Sequence, residues 1–169
     1  ISSGSAGIAA GSEAVNVDIT EVDAALTFSL VADRAAVSEE GGETVTYTLS
    51  YTGGSLTGTN QASVDLGLVA DADGVPGATD GVDYVQALLD AVDAGLVGTG
   101  VTRSGNTLTF DAGSATSVQF SLSAVDDELV EGVEDIVLGL SGAGISSGSA
   151  GIAAGSEAVN VDITEVDAA

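Results

Sequence analysis

Along much of the chain, apolar and polar residues alternate one for one. This is the pattern of a strand with one buried face. From Thr44 to Tyr51, Val45, Tyr47, Leu49 and Tyr51 share one face, and Thr44, Thr46, Thr48 and Ser50 share the other. Ser117 to Ser123 repeats the pattern with Val118, Phe120 and Leu122 inward. Glu157 to Thr164 repeats it with Val159, Val161 and Ile163 inward and Asn160, Asp162 and Thr164 outward. Shorter candidates are Leu26 to Val31, Ser63 to Val69, Thr107 to Phe110 and Asp135 to Leu140. Turns rich in Gly and Asp separate them: Gly41-Gly42, Gly53-Gly54, Asp71 to Gly77, Ser104 to Asn106 and Asp111 to Gly113. About seven short strands with such turns predict an all-β, antiparallel sandwich.

One segment departs from period two. Val85, Leu88, Leu89 and Val92 fall at helical spacing, so a short amphipathic helix is expected over 85–97, capping an edge or end of the sandwich, with Gly95 as its stop. The glycines of Gly148 to Ser156 match no phosphate-binding pattern and read as a flexible hairpin or loop before the last strand.

Residues 1–25 and 145–169 are identical in sequence, an offset of 144 residues. The period is far longer than that of a solenoid repeat and has the size of a whole domain. The chain therefore reads as one complete repeat, 26–169, preceded by the last-strand segment of an earlier repeat, 1–25. A deliberate duplication is the alternative. A strand segment without its own domain carries unpaired backbone groups. Residues 1–25 are accordingly expected to pair with a neighbouring molecule or to stand for the previous unit of a polymer.

Charge narrows the function. There are 26 acidic and 2 basic residues, a formal net charge of −24. With only Arg34 and Arg103, neither nucleic acid nor an anionic membrane is an expected partner. No apolar run reaches membrane-spanning length. The chain has no Cys, His, Met or Trp, so disulfides, thiolate sites and the usual zinc or copper ligands are excluded. The Ser-His and Cys-His catalytic arrangements are excluded too, and no enzyme is expected. Oxygen ligands remain, and these suit calcium or magnesium.

Carboxylates cluster at Glu39-Glu40, at Asp80 and Asp83, at Asp126-Asp127-Glu128 with Glu131 and Glu134, and at Glu165 and Asp167. Packed like charges are unfavourable in an empty site, and a divalent ion would relieve them. A solvated acidic surface accounts for the same residues equally well.

The stretch from Thr109 to Ser141 resembles the core of a Calx-β domain. Matching elements occur in order: Val37-Ser38-Glu39, Asp83-Tyr84, Phe110 with Gly113, Asp126-Asp127 with Glu131 and Glu134, Leu140-Ser141, and Ile163 through Asp167. The resemblance covers roughly 26–169 and implies a seven-stranded Greek-key β-sandwich with calcium held by loops at one end. It implies as ligands Glu39, Asp83, Asp126, Asp127, the backbone carbonyl of Leu129, Glu131, Glu134, Glu165 and Asp167. Where calcium-sensing members end in three consecutive Asp, this chain has Glu165-Val166-Asp167, so one to three calcium ions are expected. The longer acidic loop Asp71 to Asp80 is a weaker candidate for a second site.

Near-identical tandem units of this type imply a structural repeat of a large secreted, extracellular or cell-surface protein, an adhesin extender or a filament subunit, whose partners are neighbouring repeats or copies of itself. Two alternatives compete. One is an adhesion module gripping a sugar or surface, which the scarcity of aromatics disfavours. The other is a calcium sensor like the regulatory domains of sodium–calcium exchangers, which the identical repeat disfavours.

Overall fold

The computed structural model describes residues 25–70, 75–80, 82–84, 87–126 and 132–164. Among these residues there are ten strands: β1 (Leu26–Ala32), β2 (Ala36–Ser38), β3 (Thr44–Thr52), β4 (Gln61–Leu68), β5 (Thr102–Ser104), β6 (Thr107–Asp111), β7 (Ser117–Ser123), β8 (Glu134–Ile145), β9 (Ala150–Ile152) and β10 (Val159–Thr164). One helix, α1 (Leu88–Leu96), lies between β4 and β5. The strands form two sheets, one ordered β7-β3-β1-β9 and the other β2-β10-β8-β4-β6-β5. The expected all-β sandwich with one inserted helix is the architecture observed.

All seven expected strands form. The three additional ones, β2, β5 and β9, are each three residues long. A period of two cannot declare itself in so short a run. The alternating faces behave as the pattern predicts. Val45, Tyr47 and Leu49 of β3, Leu122 of β7, and Val161 and Ile163 of β10 are fully buried between the sheets. Around them a ring cluster forms the centre: Phe28 packs edge-on to Tyr51 at 5.9 Å, and Tyr47 stacks on Phe120 at 5.3 Å.

The helix packs on β7 and buries Leu88, Ala91 and Val92. The expected stop at Gly95 needs correction. Gly95 is inside the helix, and a Cβ there would lie 2.0 Å from the backbone oxygen of Gln119. Its role is close approach to β7, and the chain turns instead through Gly98 at φ 78°.

The segment expected to be a loop before the last strand is also different. Ala150–Ile152 leaves the β8 sheet and adds to the opposite sheet as β9, parallel to β1, with Ala150 beside Leu26 and Ile152 beside Phe28. The chain then returns to the first sheet, where β10 lies between β2 and β8, with Thr164 beside Ser38. Between these points Ser156 is buried, accepting the Leu30 N–H at 3.0 Å and donating to the Leu30 carbonyl at 3.3 Å. The whole run from 150 to 164 thus travels beside the run from 26 to 38, in the same direction. Leu26 sits at one pole of the sandwich and Thr164 at the other.

Candidate metal centre

The pole at which β10 ends is built by a tight turn after β2. Gly41 and Gly42, at φ 82° and 61°, take the left-handed conformation that reverses the chain between Glu39 and Glu43. The Gly42 N–H donates to the Glu39 carbonyl at 2.8 Å, and the Glu43 N–H to the Ser38 carbonyl at 3.1 Å. The turn is fastened to its neighbours on both sides. The Glu39 N–H donates to the Thr164 carbonyl at 3.2 Å, and the Ala124 N–H to the Glu43 carbonyl at 2.9 Å.

Four of the predicted ligands lie within the described residues, and they come to this one pole. Glu39 is buried, with 7% of its surface exposed. Asp126 follows β7, and its Oδ2 accepts the Gly41 N–H at 3.4 Å. Asp83 is tied to the same strand end: its carbonyl accepts the Val125 N–H at 3.0 Å, and Tyr84 forms a bridge with Ala124. The Asp83 carboxylate accepts the Thr79 N–H. Glu134 opens β8 directly opposite Ile163 of β10. Four stretches distant in sequence therefore reach one end of the sandwich through backbone pairing.

The other five, Asp127, Leu129, Glu131, Glu165 and Asp167, lie outside the described residues, as do Asp71 and Asp73 of the acidic loop. Among the described residues, no three carboxylates stand close enough to hold an ion. The donor chemistry nonetheless fits a hard cation, because every candidate group in the chain offers oxygen. Glu165 follows Thr164 directly, so the strand end that binds the Glu39 backbone also carries the next acidic side chain.

Two further acidic residues lie near this pole: Asp135, which was not a candidate from the sequence, and Asp80, which was one only through its cluster with Asp83 and the acidic loop. Asp135 is only 3% exposed, with its N–H donating to the Pro76 carbonyl and its carbonyl accepting the Ala78 N–H, both at 2.9 Å. Its strand neighbour on β10 is Asp162. The one available signal was its position, immediately before the apolar run Ile136 to Leu138. Asp80 accepts the Leu88 N–H at 2.8 Å, which holds the first turn of α1. Asp80 also stands next to the Tyr84 hydroxyl. Burial, and then the Asp80 carboxylate, push the Tyr84 phenol well above its ordinary range.

Both cations lie against carboxylates outside the predicted ligand set. Arg103 grips Asp93 of α1 through Nε at 2.7 Å and Nη2 at 2.5 Å, pinning the helix to β5. Arg34 lies 3.6 Å from Asp33 and 3.9 Å from Glu43. No described helix is long and apolar enough to cross a membrane.

No family model matches this chain, and no curated protein matches it. Among solved structures it is similar to the apo-form Calx CBD1 domain, at 16% identity over 83% of this chain and 99% of that one, with a TM-score of 0.45. It is similar to CBD12 from CALX1.2, at 20% identity and a TM-score of 0.49, covering 82% of this chain but 44% of that one. A third similar structure is the seventh ScaB type I cohesin from Pseudobacteroides cellulosolvens, at 13% identity over 85% of this chain and 94% of that one, with a TM-score of 0.34.

Proposed function

We propose that this chain is a calcium-stabilised structural repeat of a large extracellular tandem-repeat protein. The observation that carries the reading is polar: the chain begins β1 at one end of the sandwich and finishes β10 at the other, beside Glu39. Successive units joined through residues equivalent to 165–169 and then 26 would then extend end to end, with Glu165 and Asp167 at each joint. A calcium ion held by Glu39, Asp83, Asp126 and Glu134 together with those joint residues would tie one unit's last strand to its own body. It would also stiffen the start of the next unit. The same ion would offset the mutual repulsion implied by a net charge of −24. Oxygen-ligated extracellular sites bind calcium at about 10⁻⁴ to 10⁻³ M.

The test is thermal melting of the whole chain with calcium, with magnesium and with chelator. At 100 times its dissociation constant the ion adds about 2.7 kcal/mol to stability. The expected result is a calcium-dependent rise in Tm that is reduced in Glu39→Gln and Asp126→Asn. A melting temperature that chelator leaves unchanged would sink the metal reading and leave an acidic spacer.

A further inference from the structure

The last segment, 145–164, is not an appendage of the sandwich but part of both its sheets. Removing it would uncover the free side of β1 in one sheet and of β2 and β8 in the other. It would also uncover the core positions filled by Val161 and Ile163. Residues 1–25 carry the identical sequence, with Val17 and Ile19 in the places of Val161 and Ile163. Among the described residues there is one such slot, and the sequence carries two segments able to fill it.

We infer that this slot is a docking site for residues 1–25 of a second copy of the chain, which would join copies head to tail by strand addition. The register is dictated by the identity. Ala6–Ile8 would lie beside Leu26–Phe28, Ser12 would meet the Leu30 backbone, and Val15–Thr20 would lie between β2 and β8 with Thr20 beside Ser38. Every hydrogen bond and apolar contact of the resident segment is available to the incoming one, so exchange changes no contact energy.

A chain cannot fill its own slot with its own residues 1–25. With Thr20 beside Ser38, residues 21–25 would have to return to Leu26 at the opposite pole. The span is that of Thr44 to Gly53 alongside, about 30 Å at strand rise. Residues 21–25 reach at most about 21 Å from Thr20 to Leu26. Filling in trans is the remaining geometry. Such a contact uses different surfaces on the two partners, so it does not close on itself and generates open chains.

In the wild-type chain the resident segment wins, because residues 146–149 tether it at an effective concentration on the order of millimolar. The seam is nonetheless open midway. A cleft of about 420 Å³ lies between the two ribbons, bordered by Leu30, Val31, Arg34, Gly155, Val159 and Asn160. The inference needs no bound cation and stands apart from the calcium reading.

The experiment uses the full chain with its C-terminal copy disabled, Val161→Asp with Ile163→Asp, studied by light scattering and circular dichroism over a micromolar concentration series. The expected result is a folded β protein whose mass grows with concentration, beside a monomeric wild type. Adding Val17→Asp and Ile19→Asp abolishes both the assembly and the fold. In the first variant, Thr20→Cys with Ser38→Cys gives a ladder of disulfide-linked oligomers on oxidation, since the chain has no other cysteine. A folded monomer overturns the inference, because it would mean filling in cis. So do an unfolded chain at all concentrations, assembly that survives the four substitutions, and the absence of a cross-linked ladder.

Discussion

Replacing Gly139 by Ala is a direct probe of how firmly the last segment is seated. Gly139 lies in β8 opposite Gly67. A Cβ at this position would fall 2.1 Å from the backbone oxygen of Glu157 and 2.8 Å from Cγ2 of Val69. Relief to ordinary contact requires a movement of about 1.4 Å. The atom in the way is backbone, so the chain from Ser156 onward has to shift as a whole. That shift strains the Leu140 N–H to Ser156 carbonyl bond, now 2.8 Å, and both bonds of the buried Ser156 hydroxyl to Leu30. Overpacking of this kind costs about 1–3 kcal/mol. A weakened buried hydrogen bond adds about 0.5–1.5 kcal/mol. Loss of glycine's freedom in the unfolded chain returns about 0.4–1 kcal/mol. The net expectation is destabilisation by about 0.5–4 kcal/mol, centred on about 2 kcal/mol, a Tm lower by about 4–8 °C at that centre for a domain of this size. Gly151→Ala in β9 is the matched control. Its Cβ would meet nothing within 4 Å and its φ is ordinary, so it should be neutral or slightly stabilising. Calorimetry of the two variants side by side checks the argument. If Gly139→Ala melts as high as Gly151→Ala, the last segment is not packed against β8 as described.

Gly95→Ala should destabilise by about 1–3 kcal/mol in urea titration, although helix propensity alone favours Ala by about 1 kcal/mol, because its Cβ would collide with the Gln119 carbonyl. Arg103 hydrogen-bonds the Asp93 carboxylate and holds its pKa below the ordinary aspartate value. A folded-state pKa lowered in this way contributes stability above the unfolded value, lost as pH falls through the carboxylate range. Asp93→Asn should therefore be less stable near neutral pH and show a flatter acid limb, measured by denaturant titration at successive pH values. Burial, and for Tyr47 secondarily Asp33, raises the phenols of Tyr47 and Tyr84 far above 10. Their raised folded-state pKa leaves stability intact below about pH 10 and erodes it above, as the unfolded phenols ionise. In a Tyr51→Phe variant, tyrosinate absorbance should therefore emerge together with loss of β-sheet signal on alkaline titration, and ionisation without unfolding would contradict the burial argument.

The seven longer strands, the apolar faces of β3, β7 and β10 and the existence of a helix near 88–96 were legible in the sequence. Their signals are local. A run of six or more alternating residues states its own period and its own buried face, and the hydrophobic effect enforces that face whatever the partner. The candidate ligands were legible only as a set of acidic residues at suggestive places. Which of them share a pole depends on pairings between distant stretches, such as Glu39 to Thr164 and Gly41 to Asp126. The buried Asp135 was marked only by its place before the apolar run Ile136 to Leu138, because its burial comes from the segment at Pro76 to Ala78 lying alongside.

Composition and pattern by themselves determined the all-β character, the acidic surface, the oxygen-only ligand chemistry and the duplication of the last segment. Tertiary structure alone decided what that segment does. The sequence Ala150 to Ile152 is too short and too rich in small residues to declare a strand, and it becomes one because β1 offers an open edge beside it. Likewise Gly95 and Gly139 look like breakers in isolation. Each is glycine because a backbone oxygen from elsewhere in the chain occupies the place where a side chain would begin. Contacts of this kind are set by the closure of the two sheets on one another, and no window of neighbouring residues contains them.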